Sequence, residues 1–146
     1  MTGWRLGYGV WPAELVEPAT RLAINCHSCV NAAAQFAGIA ALEGPQDEVD
    51  DMVKAFDERR RVIVGELNQT PGITCADPGG AFYAFANVTG TGMEAATLQD
   101  KWLADAGVAT VAGTSFGRFG EGYVRFSYAN STENIKTAIQ RIRETL

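Results

Sequence analysis

No stretch of this sequence stays apolar for the roughly 20 residues that a membrane-spanning helix requires, so no membrane association is expected. No basic N-terminal region leads into an apolar segment either, so no secretory leader is expected. Positive charge is scarce: 12 Lys and Arg stand against 17 Asp and Glu, for a net charge of −5. The only dense basic run, Arg59-Arg60-Arg61, follows Asp57 and Glu58 on a predicted helix and reads as a solvated face. Without a basic stripe, nucleic acid is not an expected partner. Three cysteines leave one over in any disulfide scheme, which suits a reducing compartment, and a cytoplasmic location is expected. Histidine occurs once, inside Cys26-His27-Ser28-Cys29. With Cys75 that run offers four potential zinc ligands, but structural zinc sites pair two separated clusters and the second here is a single cysteine. No strand leads into it, as a thioredoxin-like redox pair would need. The run reads as a turn between two helices, and no metal is expected.

What is present is ordinary for a globular chain: 146 residues, 47% apolar and 20% charged, enough for one sizeable core. Trp4 to Trp11 reads as extended. Pro12 suits the first turn of a helix that continues through Leu15, Val16, Ala19, Leu22 and Ala23, with Pro18 in its opening turn or kinking it. Asn31 to Leu42 is apolar around most of its surface and predicts a helix buried against other elements, stopped by Gly44-Pro45; this chain does not obviously supply those elements, so if it is a fragment, exposed apolar surface is expected over Leu15–Leu42. A long helix is predicted from Gln46 to Leu67, with four acids crowded into its first turn, where the helix dipole favours them. Strands are predicted over Ala81–Val88, covered on both faces, then over Val108–Val111 and Tyr123–Tyr128. A helix over Glu94–Ala106, ended by Gly107, separates the first two strands. Gly117, Gly120 and Gly122 precede a strand instead of opening a helix, so they do not cradle a phosphate, and they read as a flexible loop. In the last strand, alternation sets Val124, Phe126 and Tyr128 against Tyr123, Arg125 and Ser127. Ser131 caps a final amphipathic helix carrying Ile135, Ala138, Ile139, Ile142 and Leu146.

Two arginines sit in apolar company. Arg5 lies in Met1-Thr2-Gly3-Trp4-Arg5-Leu6-Gly7-Tyr8, and Arg125 lies between Val124 and Phe126. A guanidinium in such surroundings is costly unless paired. Either an internal acid or an external anion gripped by two N–H groups would satisfy it, and the pattern alone leaves both open.

Four segments in order resemble one family. Met1-Thr2-Gly3-Trp4-Arg5-Leu6-Gly7 resembles the second half of the signature of class I aminotransferases. Asp77-Pro78-Gly79-Gly80-Ala81-Phe82-Tyr83 resembles the family's Pro-x-Gly-Ala-Phe-Tyr run, with one extra glycine. Gly107 to Phe116 resembles its Gly-Val-x-Val-x-Pro-Gly-x-x-Phe segment, with Ala112 in place of the proline. Tyr123-Val124-Arg125-Phe126-Ser127-Tyr128-Ala129 resembles the strand that carries a substrate-binding arginine. The likeness is to aspartate-aminotransferase-like enzymes of fold type I.

That resemblance implies an α/β architecture, the C-terminal part of a pyridoxal-phosphate-dependent transferase fold. Residues 1–45 would be the tail of the large cofactor-binding domain, and residues 46–146 a linking helix and the small domain. It implies pyridoxal 5′-phosphate as cofactor, amino acid and 2-oxo acid as substrates, and a homodimer. Arg5 would grip the cofactor phosphate and Arg125 the substrate α-carboxylate. The lysine that forms the Schiff base in the family would lie upstream of Met1, so no catalytic residue is assigned here and the chain alone is expected to be inactive. Lys54, Lys101 and Lys136 fall outside the matching motifs. The family layout would bring His27 or Ser28 near the partner's active site. An alternative reading is a non-catalytic assembly or small-anion-binding module that keeps the small-domain fold. In that case the native gene would begin at Met1.

Overall fold

The computed structural model describes residues 1–146, the side chain of Thr2 excepted. The chain divides into two units, Met1–Glu48 and Val49–Leu146.

The first unit opens with a 3₁₀ turn over Thr2–Trp4, in which the Trp4 N–H donates to Met1 O at 3.0 Å. The extended stretch expected from Trp4 therefore begins later, and Leu6 to Trp11 forms no regular element. Helix α1 spans Ala13–His27. Pro12 stands just ahead of it instead of in its first turn, and Pro18 falls in its interior, where it withholds the N–H that Glu14 O would accept. Ser28 ends α1 with φ 63°, so the turn between the two helices is Ser28 to Asn31, and Cys26 and His27, expected in that turn, are instead the last residues of α1.

Helix α2 spans Ala32–Glu43, and the Asn31 side chain accepts from Ala34 N–H at 3.2 Å to cap it. The helix expected to seek a cover does not find one within its unit, and the apolar surface expected over Leu15–Leu42 is exposed. Only Ala34 and Gly38 are covered, while Phe36 is 74% and Leu42 64% exposed. Leu6 packs against Gly38, where an added Cβ would come within 2.5 Å of Leu6 Cδ2.

Helix α3 (Asp47–Asn68), which lies in the second unit from Val49 onward, splits its apolar stripe. Ile63 and Leu67 are buried, whereas Val49, Met52 and Val53 are exposed. Four short strands follow: β1 (Thr74–Cys75), β2 (Tyr83–Asn87), β3 (Val111–Ala112) and β4 (Tyr123–Ser127). They form one antiparallel sheet in the order β1-β2-β4-β3. Strand β1 has no counterpart in the sequence reading, and β3 lies three residues later than the Val108 start predicted for it.

The sheet buries one face. Ala84, Ala86, Val124 and Phe126 share a core with Ile63 and Leu67 of α3 and with Leu98 of α4 (Ala95–Lys101). Ile135, Ile139 and Ile142 of α5 (Thr132–Thr145) complete it. Each such aliphatic side chain contributes about 1.5–3 kcal/mol on leaving water. Ser131 caps α5 as expected, accepting from Asn134 N–H at 3.1 Å. The expectation that Ala81–Val88 is covered on both faces fails: within β2 only Ala84 and Ala86 are buried, and Phe85 on the opposite face is exposed.

After α4 the chain passes through a π-helical turn, Trp102–Ala106, which Gly107 closes at φ 65°. Trp102 is fully buried, its ring 5.7 Å from that of Phe126. The glycine-bearing loop is buried at Gly113 and Gly120 and exposed from Thr114 to Phe119. It forms two 3₁₀ turns, Gly113–Phe116 and Arg118–Gly120, whose backbones touch. A Cβ on Gly113 would lie 2.1 Å from Gly120 O, and one on Gly120 would lie 2.0 Å from Gly113 O. Only two hydrogens let the turns close.

Candidate functional site

The uncovered face of the sheet carries Tyr83 and Phe85 from β2 and Tyr123 and Arg125 from β4, as alternation along two paired strands requires. Arg125 is on a central strand, paired with Phe85 on one side and Val111 on the other. Its guanidinium carbon lies 4.3 Å from the Tyr83 ring centre and 4.7 Å from that of Phe116, which the first 3₁₀ turn delivers. Phe85 stacks on Tyr123 at 5.2 Å and 6°, and meets Phe116 edge-on at 6.3 Å.

This enclosure has a chemical consequence. The guanidinium carbon lies over two aromatic rings, contacts worth about 0.5–2 kcal/mol per ring depending on solvation. Among the described residues no Asp or Glu lies within ion-pair distance of Arg125. Of the two partners the sequence left open, the internal acid is therefore not the one found for Arg125. A half-buried, fixed fork without an internal counter-ion suits a planar anion bound through two N–H groups.

Arg5 departs from expectation in a different way. It is exposed within its unit and holds φ 52° immediately after the Thr2–Trp4 turn, instead of being sunk among apolar side chains. Of the lysines, Lys54 pairs with Asp51 at 2.8 Å and Lys101 with Asp105 at 2.9 Å, while Lys136 is exposed on α5. Cys26 and Cys29 are exposed free thiols and Cys75 is a buried one. Burial, then the nearby Asp77 charge, raises the Cys75 thiol above its ordinary pKa. Among the described residues no group of three or more His, Cys, Asp and Glu is placed to hold a metal ion. No helix among them is long and apolar enough to cross a membrane.

Sequence reasoning missed the structures that support β2. Arg60, read as part of a solvated face, is 23% exposed and bridges two acids. Its Nε and Nη2 donate to Asp57 Oδ1 at 3.1 and 2.7 Å, and its Nη1 pairs with Asp77, where the chain turns toward β2. The hydrogen bond from Arg60 holds the Asp57 carboxyl below its ordinary pKa, despite an opposing desolvation effect. Tyr128 follows β4, buried, and its hydroxyl donates to Ala81 O at 3.0 Å. Burial raises its phenol pKa, so it stays protonated as a donor at neutral pH. A hollow of about 630 Å³ beside these residues is walled by Val53, Phe56, Phe82 and Tyr128.

A profile of the family described as aminotransferase class I and II matches residues 1–142. The whole chain aligns at 43% identity with an aspartate aminotransferase of Pyrococcus horikoshii, covering 38% of that protein, at its C-terminal part. Among solved structures, an aromatic aminotransferase of the same organism superposes with a TM-score of 0.89 at 35% identity, over 99% of this chain and 39% of that one. An alanine aminotransferase of Pyrococcus furiosus superposes with a TM-score of 0.86 at 37% identity, over 98% and 38% respectively. The chain thus spans well under half the length of the relatives it matches.

Proposed function

The chain belongs to the aminotransferase class I and II family, and we propose from that premise that it supplies the anion-binding part of a pyridoxal-phosphate-dependent enzyme. That enzyme moves an amino group between an amino acid and a 2-oxo acid. The observation that carries the reading is Arg125, fixed between Tyr83 and Phe116 with no described acid in ion-pair reach. Amino acid and 2-oxo acid share one group, the carboxylate on C1, so one fork serves both halves of the exchange. Gripping it through two N–H groups fixes the orientation of the neighbouring carbon, where a proton must be removed and returned. The aromatic walls hold the fork rigid and keep water from its faces.

The donor set fits the cofactor at one corner. Arg5 is an exposed guanidinium on a constrained turn, suited to a phosphate monoester, and we assign it to the cofactor phosphate. When bound, pyridoxal 5′-phosphate supplies the electron sink for the reaction. Lys54 and Lys101 are paired with neighbouring acids and Lys136 lies on the exposed side of α5, so none is assigned to carry the cofactor. These 146 residues hold anions, and the amine that bears the cofactor comes from residues outside them. A homodimer and a cytoplasmic location belong to the same proposal, supported by the exposed apolar residues of α1 and α2 and by the exposed free thiols.

The test uses two proteins. The enzyme that contains this chain, given pyridoxal phosphate and a panel of amino acids with 2-oxoglutarate, is expected to transfer the amino group. The 146 residues alone are expected to show no borohydride-trappable cofactor absorbance and no turnover. Trapping on the isolated chain, or absence of transfer by the containing enzyme over the whole panel, overturns the reading. The second result would favour the non-catalytic module.

A further inference from the structure

The segment Asp77–Ala81 leads into β2 with little packing to hold it. Asp77, Gly79, Gly80 and Ala81 are exposed, and a Cβ on either glycine would meet nothing within 4 Å. Ala81 nevertheless adopts φ 59°, a left-handed conformation unfavourable for a residue with a Cβ. Such a conformation persists only where the surroundings impose it, and two polar tethers do so here. At one end Arg60, itself anchored to Asp57, holds Asp77. At the other, Tyr128 donates from its hydroxyl to Ala81 O at 3.0 Å and from its backbone N–H to Phe82 O at 3.0 Å. The next residue is Tyr83, whose ring lies 4.3 Å from the guanidinium carbon of Arg125. Tyr128 is three residues beyond Arg125 on the same stretch of chain. One tether thus closes a short circuit: Arg125 to Tyr128 along the chain, Tyr128 to Ala81 by hydrogen bond, Ala81 to Tyr83 along the chain, and Tyr83 back to Arg125 by ring contact.

We propose that Tyr128 and the Arg60–Asp77 pair are positioning residues for carboxylate binding. They fix the turn at Ala81, and so the ring of Tyr83, against Arg125. The proposal rests on the reading of Arg125 as the carboxylate ligand. Neither tether touches the bound anion. Each acts through Tyr83 on the orientation of the guanidinium.

The test is a set of double-mutant cycles in the complete aminotransferase, read as KM and kcat with amino acid and 2-oxo acid. Tyr128→Phe removes one hydroxyl and keeps the buried ring, and Asp77→Asn independently releases the other tether. Each is made in the wild-type and in the Arg125→Lys background, and assayed well below every variant's melting midpoint. Each is expected to raise KM about three- to tenfold in the wild-type background with kcat held within about twofold, as misorientation of a binding group does. In the Arg125→Lys background the same substitutions are expected to change KM by less than about twofold, because coupled residues are not additive. Unchanged KM in the wild-type background, or an equal rise in both backgrounds, overturns the proposal while leaving Arg125 in its role. If Arg125→Lys by itself leaves KM unchanged, the Arg125 reading fails and takes the proposal with it.

Discussion

Tyr83 and Arg125 sit diagonally across the β2–β4 ladder, with the guanidinium carbon 4.3 Å from the ring centre. This contact joins the two motif segments that, read along the chain, lie more than 40 residues apart, and it explains why an arginine can remain on a half-covered sheet face without an acid beside it. Replacing Tyr83 by Leu keeps an apolar wall and removes the ring quadrupole. Loss of about 0.5–2 kcal/mol of cation–π attraction is expected to weaken carboxylate binding by about two- to thirtyfold. Titration with a 2-oxo acid measures it, and an unchanged dissociation constant would show that the ring contributes nothing.

Gly120 makes a second demand on the same site. Its Cα meets the Gly113 backbone so closely that Gly120→Ala must push the two 3₁₀ turns apart, and Phe116 travels with the first of them. A stability loss of about 1–3 kcal/mol is expected, as for other overpacked sites, together with weaker carboxylate binding. Denaturant unfolding and ligand titration of the same variant separate the two effects.

The core of the second unit should respond through cavity formation. Ile142 is fully buried on α5 among Ile139, Leu67 and neighbouring core residues. Ile142→Ala is expected to cost about 2–5 kcal/mol. Lys136→Ala, on the exposed side of the same helix, is expected to stay within about 0.5 kcal/mol. Equal effects in chemical denaturation would contradict the assignment of the buried face.

Asp57 gives a pH signature. Its pKa is depressed in the folded chain, chiefly by the hydrogen bond from Arg60. The folded state therefore binds this proton less readily than the unfolded state does. The stabilisation is fully present above the unfolded aspartate value of about 4 and is lost as pH falls through the lower folded value. The thermal midpoint of Asp57→Asn should lie below that of the wild type at pH 6, and the gap should narrow on acidification toward pH 3. A gap that widens with acid would contradict the sign.

Much of this arrangement was legible in the sequence, and the exceptions share a cause. Strict alternation over Tyr123–Tyr128 gave both the buried and the open face of β4, because each side chain's direction is set locally by the pleat. The cap at Ser131 and the stop at Gly107 were readable for the same reason. Exposure of Phe36 and Leu42 agrees with the reading that the apolar helices need a cover this chain does not supply. Phe85 misled: an apolar residue on a strand looks like core, but here it packs on other aromatics around an open arginine. Arg60 reads as a solvated charge in the sequence because its partner Asp77 is 17 residues away, and no periodicity encodes that meeting. The contact between Gly113 and Gly120 was also invisible, since a glycine reads as freedom until another backbone is known to need the space.

On the proposed function, Arg125 is a carboxylate fork held ready by aromatic walls. Equilibrium binding of a simple 2-oxo acid to the complete protein and to its Arg125→Lys variant tests it most directly, because lysine keeps the charge and loses the planar pair of donors. The dissociation constant is expected to rise at least about tenfold, as for the loss of a charge-assisted hydrogen bond. Binding as tight to the lysine variant as to the wild type would contradict the claim.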